Sequence, residues 1–504
     1  MRDFDTIDGL HYGRQRIILD FDEVTPENLS QVMQKALGIH GQNARDCEYL
    51  IKYFLGKQDI LKREGNYTNQ INNKTVVNYA SPITREIVGY TFGNPVELTQ
   101  RDMKYQSAVS TLSDYYNYEN GYYIDICTAL YCSVCGVGYQ ITLPSKDISK
   151  DNTPDLPIVY DYLDPRNTFV VQSSEIGNPV ILSCHFTINS QTHKREYTCY
   201  TNDYKFTFTN MDMDTLITTR NPLGLNPITM IENSLFLTGD WEQAISVMNA
   251  TNQVASDSLN DIEGTIKSLL IVIGAEFDET DDNASLKRVK ENRILTLTRA
   301  SGDNSNLDAK FIAPQLDSTS TQNIREYLEE ARNIITGIPD RSSNSSGGDT
   351  GLAVLNRDGW TDIEIVAKLK ELFFKKGKKQ QLAVGIKILQ LLDLIDSALS
   401  VIDIELTIGR HTQDNLQTKT QAFATLVATG ELATIDCLEL SNLTNKTREM
   451  VERGKEAKLE RQEEAIEMAK KAADASGEGE SSQNGANKTA QIEKAAAGNS
   501  SSSE

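Results

Sequence analysis

The sequence predicts a mainly helical α+β protein, and three observations lead to this fold class. Helical periodicity covers long parts of the chain, whereas a group of short strand-like segments lies between residues 138 and 201. A polar, low-complexity stretch, which we expect to be disordered, begins at residue 473. The 504 residues are enough for about three or four domains of ordinary size.

The charge balance is strongly acidic, with 50 Lys and Arg against 71 Asp and Glu and a net charge of −21. This excludes a protein that coats DNA by charge, because neutralising phosphates requires an excess of basic residues. The densest apolar run, residues 269–273, is much shorter than the ~18 residues of a membrane-spanning helix. The N-terminus also lacks the apolar core of a signal peptide. We therefore expect a soluble protein with no membrane partner.

Motifs of catalysis and metal binding are scarce in the sequence. It has no phosphate-binding loop of the ATPases and no zinc-protease or serine-hydrolase motif. Cys132 and Cys135 have redox or zinc spacing, but no second pair follows, so we interpret them as buried residues near a helix-to-strand junction. The alternating acidic residues at 210–214 lack the turn glycine of a calcium loop and indicate a hairpin tip. We expect no enzyme activity, no cofactor and no bound metal.

The first ~240 residues alternate helical and strand patterns. Strand-like segments are short, rich in β-branched and aromatic residues, and separated by Asp-Pro and Asn-Pro turns, which predicts a mostly antiparallel sheet. Helices are predicted at residues 26–37, 43–54, 82–92, 100–118 and 122–134, and strands at 138–143, 158–163, 169–172, 180–187 and 196–201.

A long helix is predicted over residues 239–274, where apolar side chains recur every three or four positions. At 1.5 Å per residue this helix would be roughly 54 Å long, which is more than one small core can cover. We therefore expect its apolar stripe to pack against neighbouring subunits. The residues predicted to make this contact are Trp241, Ile245, Met248, Leu259, Ile262 and Ile266.

A small module and a returning helix follow. Residues 275–317 contain one predicted short helix, 285–289, and strand-like runs at 293–298 and 309–312. The next helix opens with a capping box, Thr319 and Gln322, and stops at Gly337, shortly before Pro339. The polar residues 340–350 that come next predict a mobile loop.

The last third is again mostly helical. A helical region over residues 352–399 has possible kinks or breaks at Gly359 and Gly377, and the alternating residues 401–408 predict a strand that returns to the sheet. Two or three further helices are predicted between residues 415 and 472. The helical region at residues 352–399 carries a lysine cluster, which fits a solvated face or, as the alternative, a nucleic-acid contact: Lys368, Lys370, Lys375, Lys376, Lys378 and Lys379.

Several local signatures, in order along the chain, resemble the portal proteins of tailed bacteriophages of the siphovirus type. One is the tyrosine, glycine and isoleucine-leucine segment at residues 53–61, and another is the Gly-Asp-Trp-Glu sequence at 239–242. The remaining signatures are residues 72–80, 89–96, 163–165, 226–228, 256–261 and 351–353.

This resemblance implies a portal fold. It assigns an α+β wing, a stem of two long helices, a small α/β clip, a tunnel loop and a helical crown. The implied boundaries are wing 1–238, first stem helix 239–274, clip 275–317, second stem helix 318–338, tunnel loop 339–351, kinked helix and wing strand 352–412, crown 413–472 and disordered tail 473–504.

The resemblance also implies a function: a ring of about twelve subunits at one capsid vertex of the virion, built in the host cytoplasm. Double-stranded DNA would pass through it during packaging and ejection, and the implied protein partners are the terminase large subunit, scaffold, major capsid and head-completion proteins. The DNA-facing tunnel loop would use Arg341, Ser342, Ser343, Asn344, Ser345 and Ser346. The terminase-facing clip would use Glu276, Asp278, Glu279, Lys287, Arg288 and Lys290.

Two other classes of protein stay open from the residues alone. A metal-dependent DNA-processing enzyme could use residues 278–282, or Asp212 with Asp214, to hold its metal. A helical adaptor that forms no ring would also fit the composition.

Overall fold

The computed structural model describes residues 10–64, 71–145, 156–266, 270–273, 275–276, 298–299, 308–311, 318–339, 360–410, 416–430, 432–441 and 447–475. It divides into two compact units, Met1–Thr412 and Gln413–Glu504. Helices and several sheets are both present, which confirms the α+β class predicted from the sequence.

The N-terminal helices are α1 Leu29–Phe54, α2 Ala80–Thr91, α3 Gln106–Tyr118 and α4 Gly121–Cys135. Helix α1 joins the two helices predicted at residues 26–37 and 43–54. Gly38 and Gly41 separate those two patterns, but a glycine costs a helix only ~1 kcal/mol relative to alanine, and the buried face of α1 outweighs that cost. The helix predicted from residue 100 begins at Gln106 instead, because the preceding residues end a strand and form a 3₁₀ turn.

The largest sheet has six strands in the order β1-β5-β6-β7-β8-β9. Strand β1 is parallel to β5, and the other pairs are antiparallel as predicted. Helix α1 covers one face and packs Val32 and Met33 into a core that includes Phe169 and Phe206. The strands are β1 Ile17–Leu19, β5 Thr168–Ser173, β6 Val180–Ile188, β7 Arg195–Tyr200, β8 Tyr204–Thr209 and β9 Asp212–Arg220.

Strands β8 and β9 form a hairpin that the sequence predicts only at its tip. Asn210 and Met211 have φ of 51° and 61°, which is the left-handed backbone of a two-residue hairpin turn. The prediction of a hairpin tip at residues 210–214 is therefore confirmed.

A second sheet has the order β10-β3-β4, with β10 Ile228–Glu232, β3 Val137–Pro144 and β4 Ile158–Leu163. Strand β15, Ile404–Ile408, pairs with β2, Val96–Gln100, in a separate two-stranded sheet. The strand predicted at 401–408 is thus present from Ile404, but it does not join a larger sheet. The first residues of the predicted segment, Val401–Asp403, form a 3₁₀ turn instead of a strand.

Helix α5 is shorter than predicted: it covers Ile245–Ile266, not residues 239–274. A 3₁₀ turn, Glu242–Ala244, precedes it. Residues Leu270–Ile273 form strand β11, which pairs with β14, Asp308–Phe311. A run of leucine, isoleucine and valine fits the stripe of a helix and a buried strand equally well, so periodicity alone placed the end of this helix wrongly.

The module after β11 is described in part. Strand β12, Ala275–Glu276, pairs with β13, Thr298–Arg299. The short helix predicted at 285–289 lies outside the described residues. Helix α6, Ser318–Thr336, ends at Gly337 with φ of +67°, as predicted from the glycine.

Helix α7, Trp360–Leu391, passes through Gly377, so the helix does not break at this glycine. A Cβ at position 377 would lie 2.7 Å from Cγ1 of Ile231 in β10, which shows that the glycine allows the helix to approach the sheet closely. Gly359 lies outside the described residues.

The second unit contains three described helices, α8 Leu416–Thr429, α9 Thr434–Ser441 and α10 Thr447–Ala475. Helices are therefore present where residues 415–472 predict them. Helix α10 continues slightly past the predicted start of the tail, and residues 476–504 lie outside the described part.

Candidate subunit interface

The start of helix α5 is held inside its own chain by Trp241. The indole ring is fully buried, stacks on Tyr53 with centroids 5.5 Å apart, and donates from Nε1 to Oγ1 of Thr84 at 2.9 Å. Ile245 and Met248 belong to the same buried cluster. These three predicted subunit-packing residues are wrong in that role, because side chains of the same chain already cover them.

Beside Trp241 lies a buried ion pair between Glu242 and Arg14. Oε1 of Glu242 accepts from Nη2 of Arg14 at 2.6 Å and from the backbone N–H of Gly13 at 2.8 Å, while Oε2 accepts from the N–H of Gly239 at 2.8 Å. Burial alone would lower the pKa of Arg14, but the facing carboxylate raises it. Burial raises the pKa of Glu242, whereas its three partners are all donors, which favour the carboxylate.

The lysine cluster predicted on helix α7 is not a free basic patch. Lys370 is buried, and its Nζ donates to both carboxylate oxygens of Asp240 at 2.7 Å. Lys378 is fully buried and donates to Oδ1 of Asp125 at 2.7 Å. These two lysines cannot contact nucleic acid, because each is committed to an internal ion pair.

A segment without regular secondary structure, residues 71–79, lies along the polar side of α5; we call it the strap. Its backbone N–H groups at Asn73, Thr75 and Val77 donate to side chains of Asn260, Ser256 and Asn252 at 2.7–2.9 Å. The donors are every second residue of the strap, which advances about 6.6 Å in an extended chain, and the acceptors are every fourth residue of α5, which advances about 6 Å in a helix. The donor spacing therefore matches the acceptor spacing. The strap thereby joins two of the sequence signatures, residues 72–80 and 256–261.

The far half of α5 and the face of α6 leave apolar side chains uncovered. On α5, Leu259 is 44% and Ile262 46% exposed. On α6, Tyr327 is 68% and Ile334 74% exposed, although α6 packs against α5. Single exposed apolar residues are ordinary, but a stripe of them along paired helices is typical of a protein–protein contact. Nothing is described for the side chain of Ile266.

The other predicted site residues lie mostly outside the described part. This holds for the tunnel-loop residues Arg341, Ser342, Ser343, Asn344, Ser345 and Ser346, and for the clip residues Asp278, Glu279, Lys287, Arg288 and Lys290. Glu276 is described as part of β12, opposite Thr298.

The enzyme alternative requires acidic side chains that hold a metal ion. Among the described residues, no group of three or more His, Cys, Asp and Glu side chains could hold a metal ion. Asp212 and Asp214 are exposed next to the hairpin turn, where Oδ1 of Asp212 accepts the backbone N–H of Asp214. Residues 278–282 lie outside the described part.

The cysteines behave as the sequence predicts. Cys132 and Cys135 are buried free thiols at the junction of α4 and β3, and burial raises the pKa of Cys132 to about 12. In the described part of the chain, no helix is long and apolar enough to cross a membrane.

Comparison with protein families decides what kind of protein this is. Residues 34–471 match the family described as "Phage portal protein, SPP1 Gp6-like". The chain belongs to this family of phage portal proteins. It therefore has a portal, or connector, role, and the enzyme and adaptor alternatives are not favoured.

Two solved structures are similar to this portal protein. One is described as the neck of a native GTA particle computed with C12 symmetry; it is 12% identical, with 79% of this chain and 94% of that chain covered and a TM-score of 0.44. The other, the neck of an empty GTA particle computed with C6 symmetry, is 13% identical over 79% and 94% of the chains, with a TM-score of 0.42. Comparison with curated proteins gave no match.

Proposed function

We propose that this portal protein acts as a closed ring of about twelve copies at one vertex of the virion, where it is the conduit for double-stranded DNA. The observation that carries the ring is the uncovered apolar surface of α5 and α6, at Leu259, Ile262, Tyr327 and Ile334. A ring supplies neighbours for this surface, since every subunit meets the next through the same contact. Assembly would take place in the host cytoplasm.

We also propose how the parts of the chain divide within the ring. We assign α5 and α6 to the stem, with the clip between them beginning at Leu270 rather than at residue 275. The wing comprises residues 1–238 with β15, and the tunnel loop comprises residues 339–351. Helix α7 is the long helix between this loop and the wing strand. Helices α8, α9 and α10 form the crown.

The charge of the chain supports transport rather than tight binding of DNA. A polyanion moves quickly through a channel only when few sites hold its phosphates, and a net charge of −21 per copy disfavours holding them. Two lysines of the predicted six-lysine cluster on α7 are buried in ion pairs, which reduces the basic surface further. In this proposal Arg341 and the polar residues 342–346 are the local DNA contacts.

Packaging by a tunnel-loop variant tests the DNA role. We expect deletion of residues 342–346 to leave rings intact by electron microscopy and to abolish DNA packaging. A replacement of the same five residues by a glycine-serine sequence of equal length is the matched control, because it separates loop length from side-chain chemistry. Normal packaging by the deletion variant would contradict the role.

Binding of the terminase large subunit tests the proposed role of the clip. We propose that Glu276, Asp278, Glu279, Lys287, Arg288 and Lys290 contact the terminase large subunit. Scaffold, major capsid and head-completion proteins would bind other surfaces of the same ring. Charge reversal at Lys287, Arg288 and Lys290 should abolish capture of purified terminase by the ring, whereas reversal at the exposed Arg45 in the wing should not. Unchanged capture by the clip variant would refute this assignment.

Incubation with DNA tests the enzyme alternative. A portal ring supplies no metal-dependent chemistry, so purified protein with Mg²⁺ or Mn²⁺ should leave linear and circular DNA intact. Digestion that survives further purification, and that is lost on replacing the acidic residues 278–282, would favour the enzyme.

A further inference from the structure

Helix α7 is apolar on two opposite faces. Ile363, Ala367 and Phe374 face the core and are at most 2% exposed. On the other side lie Ile365, Leu369 and Leu372, which are 52%, 55% and 66% exposed and are spaced as one stripe on a helix. We call these three residues the outer ridge. An exposed apolar stripe with charged residues at its edges is typical of a protein–protein contact.

A second uncovered surface is present on helix α6. Ile324, Tyr327 and Ile334 are 49%, 68% and 74% exposed, and we call them the α6 face. The opposite edge of α6 is already occupied, because the guanidinium of Arg332 lies 3.7 Å from the ring centroid of Tyr79. The α6 face therefore points away from the strap and is available to another chain.

The two surfaces have complementary charges along their rims. Exposed lysines, Lys368 and Lys376, flank the outer ridge, and their ion pairs on the same chain are long, at 3.7 and 3.4 Å. Exposed acids, Glu326 and Glu330, flank the α6 face. A surface pair such as Lys368–Glu364 contributes little to stability, and Glu232, the buried partner of Lys376, has a second and shorter ion pair with Arg16 at 2.5 Å. Both lysines can therefore exchange partners at small cost. The outer ridge thus has basic residues at its edge and the α6 face has acidic ones, so the two surfaces are complementary in charge.

The C-terminal end of α6 lies against the first turns of α7. Gly337 follows the last turn of α6, and a Cβ added there would lie 2.9 Å from Cγ2 of Val366, in the first turns of α7. Ile334, in the last turn of α6, and Ile365, next to Val366, are therefore at one level of the chain. A ring of identical copies requires such a shared level if the stripe of one copy is to meet that of the next.

We propose that the outer ridge of one copy packs on the α6 face of the next copy. This inference rests on the ring proposed above and names the surfaces that close it. Two different surfaces on each chain make a head-to-tail contact, which closes into a ring, whereas a ridge-to-ridge contact would stop at a dimer. The lysine rim then meets the acidic rim of the neighbour.

Mixing two surface variants tests the pairing. The ridge variant carries Leu369→Glu and Leu372→Glu, and the face variant carries Tyr327→Glu and Ile334→Glu. Each variant alone should assemble about 100-fold more weakly or worse, because acids are placed against acids or buried unpaired. A one-to-one mixture should form dimers with one copy of each variant and nothing larger, since only one intact ridge and one intact face remain.

The outcomes separate this inference from the ring itself. If the unaltered protein forms no ring, the proposed function fails; if it forms rings and either variant still does, the pairing fails. Dimers of the face variant alone, or no association in the mixture, also overturn the pairing. Ile188→Glu, at an exposed isoleucine on β6, is the matched control and should leave rings intact.

A second measurement keeps the pairing testable if the acidic variants misfold. Leu369→Cys and Tyr327→Cys are milder changes at exposed positions. Under mild oxidation a mixture of the two should give covalent dimers, and a chain with both changes should give a ladder of linked subunits. Either single variant, oxidised by itself, should give no link at these positions. Absence of the mixed dimer in intact rings would contradict the proposed contact.

Discussion

Lys378 and Asp125, which lie 253 positions apart in the sequence, form an ion pair of 2.7 Å in which both side chains are buried. The hydroxyl of Tyr116 contacts both groups, and Gln140 donates to Asp125 at 2.9 Å. Burial lowers the pKa of Lys378 even with the carboxylate beside it. The pair ties α7 to α3, α4 and β3 in the middle of the first unit.

Removing one partner of this pair should destabilise the protein strongly. Lys378→Met leaves Asp125 as an unpaired buried charge, for which the expected loss is about 3–5 kcal/mol in the free energy of unfolding. Urea unfolding followed by tryptophan fluorescence measures it. Lys379→Met, at the exposed neighbouring position, should change the midpoint by a small fraction of that amount. Equal effects of the two changes would contradict the assignment.

The strap should loosen when its buried acceptor is removed. Asn252 is fully buried, accepts the N–H of Val77 at 2.7 Å and donates to Gln58 at 2.5 Å. Asn252→Leu leaves both groups unpaired, at about 1–3 kcal/mol each. Hydrogen exchange at the amides of residues 73–77 should become at least tenfold faster. Gln253→Leu, at an exposed position of the same helix, should leave exchange unchanged.

Two glycines in helices should respond to alanine in opposite directions. At Gly377 the new Cβ would lie 2.7 Å from Ile231 and 3.1 Å from the carbonyl oxygen of Met230, so Gly377→Ala should cost about 1–3 kcal/mol despite its better helix propensity. No atom lies within 4 Å of the Cβ position at Gly38, so Gly38→Ala should stabilise by about 0.5–1 kcal/mol. Unfolding midpoints that move in the same direction would be inconsistent with this packing.

His40 should make stability fall with acid. Burial against Phe169 lowers its pKa to about 4 from an ordinary value of 6.5. The unfolded chain therefore binds the proton first, and stability present above pH 6.5 is lost as the pH falls towards 4, by about 3 kcal/mol. His40→Phe should lack this part of the pH dependence of unfolding. His193→Asn, at an exposed position with φ of 53°, should keep it.

The sequence was sufficient to predict strands and helix ends where a local pattern fits only one type of structure. Short aromatic and β-branched runs predicted β4 to β7 nearly to the residue, and Gly337 predicted the end of α6. It was insufficient where a pattern had two meanings. The apolar run at Leu270–Ile273 continues the stripe of α5 and also suits a strand, and only its pairing with β14 decides between them.

Long-range polar contacts were beyond the reach of sequence patterns. A cluster of six lysines between residues 368 and 379 indicates a solvated face, yet Lys370 and Lys378 pair with carboxylates of residues 130 and 253 positions away. The apolar stripe was recognised over α5 but was wrongly continued into β11, and only the fold shows that the first half of α5, with Trp241 before it, is covered by the same chain. The part that stays a candidate subunit interface is Leu259 and Ile262.

The assembly state of the purified protein tests the central claim most directly. Negative-stain electron microscopy, with native mass spectrometry on the same sample, should show closed rings with a central hole and a mass that is a whole multiple of one chain. A single chain at every concentration, in protein isolated from cells that assemble particles as well as from expression alone, would contradict the account.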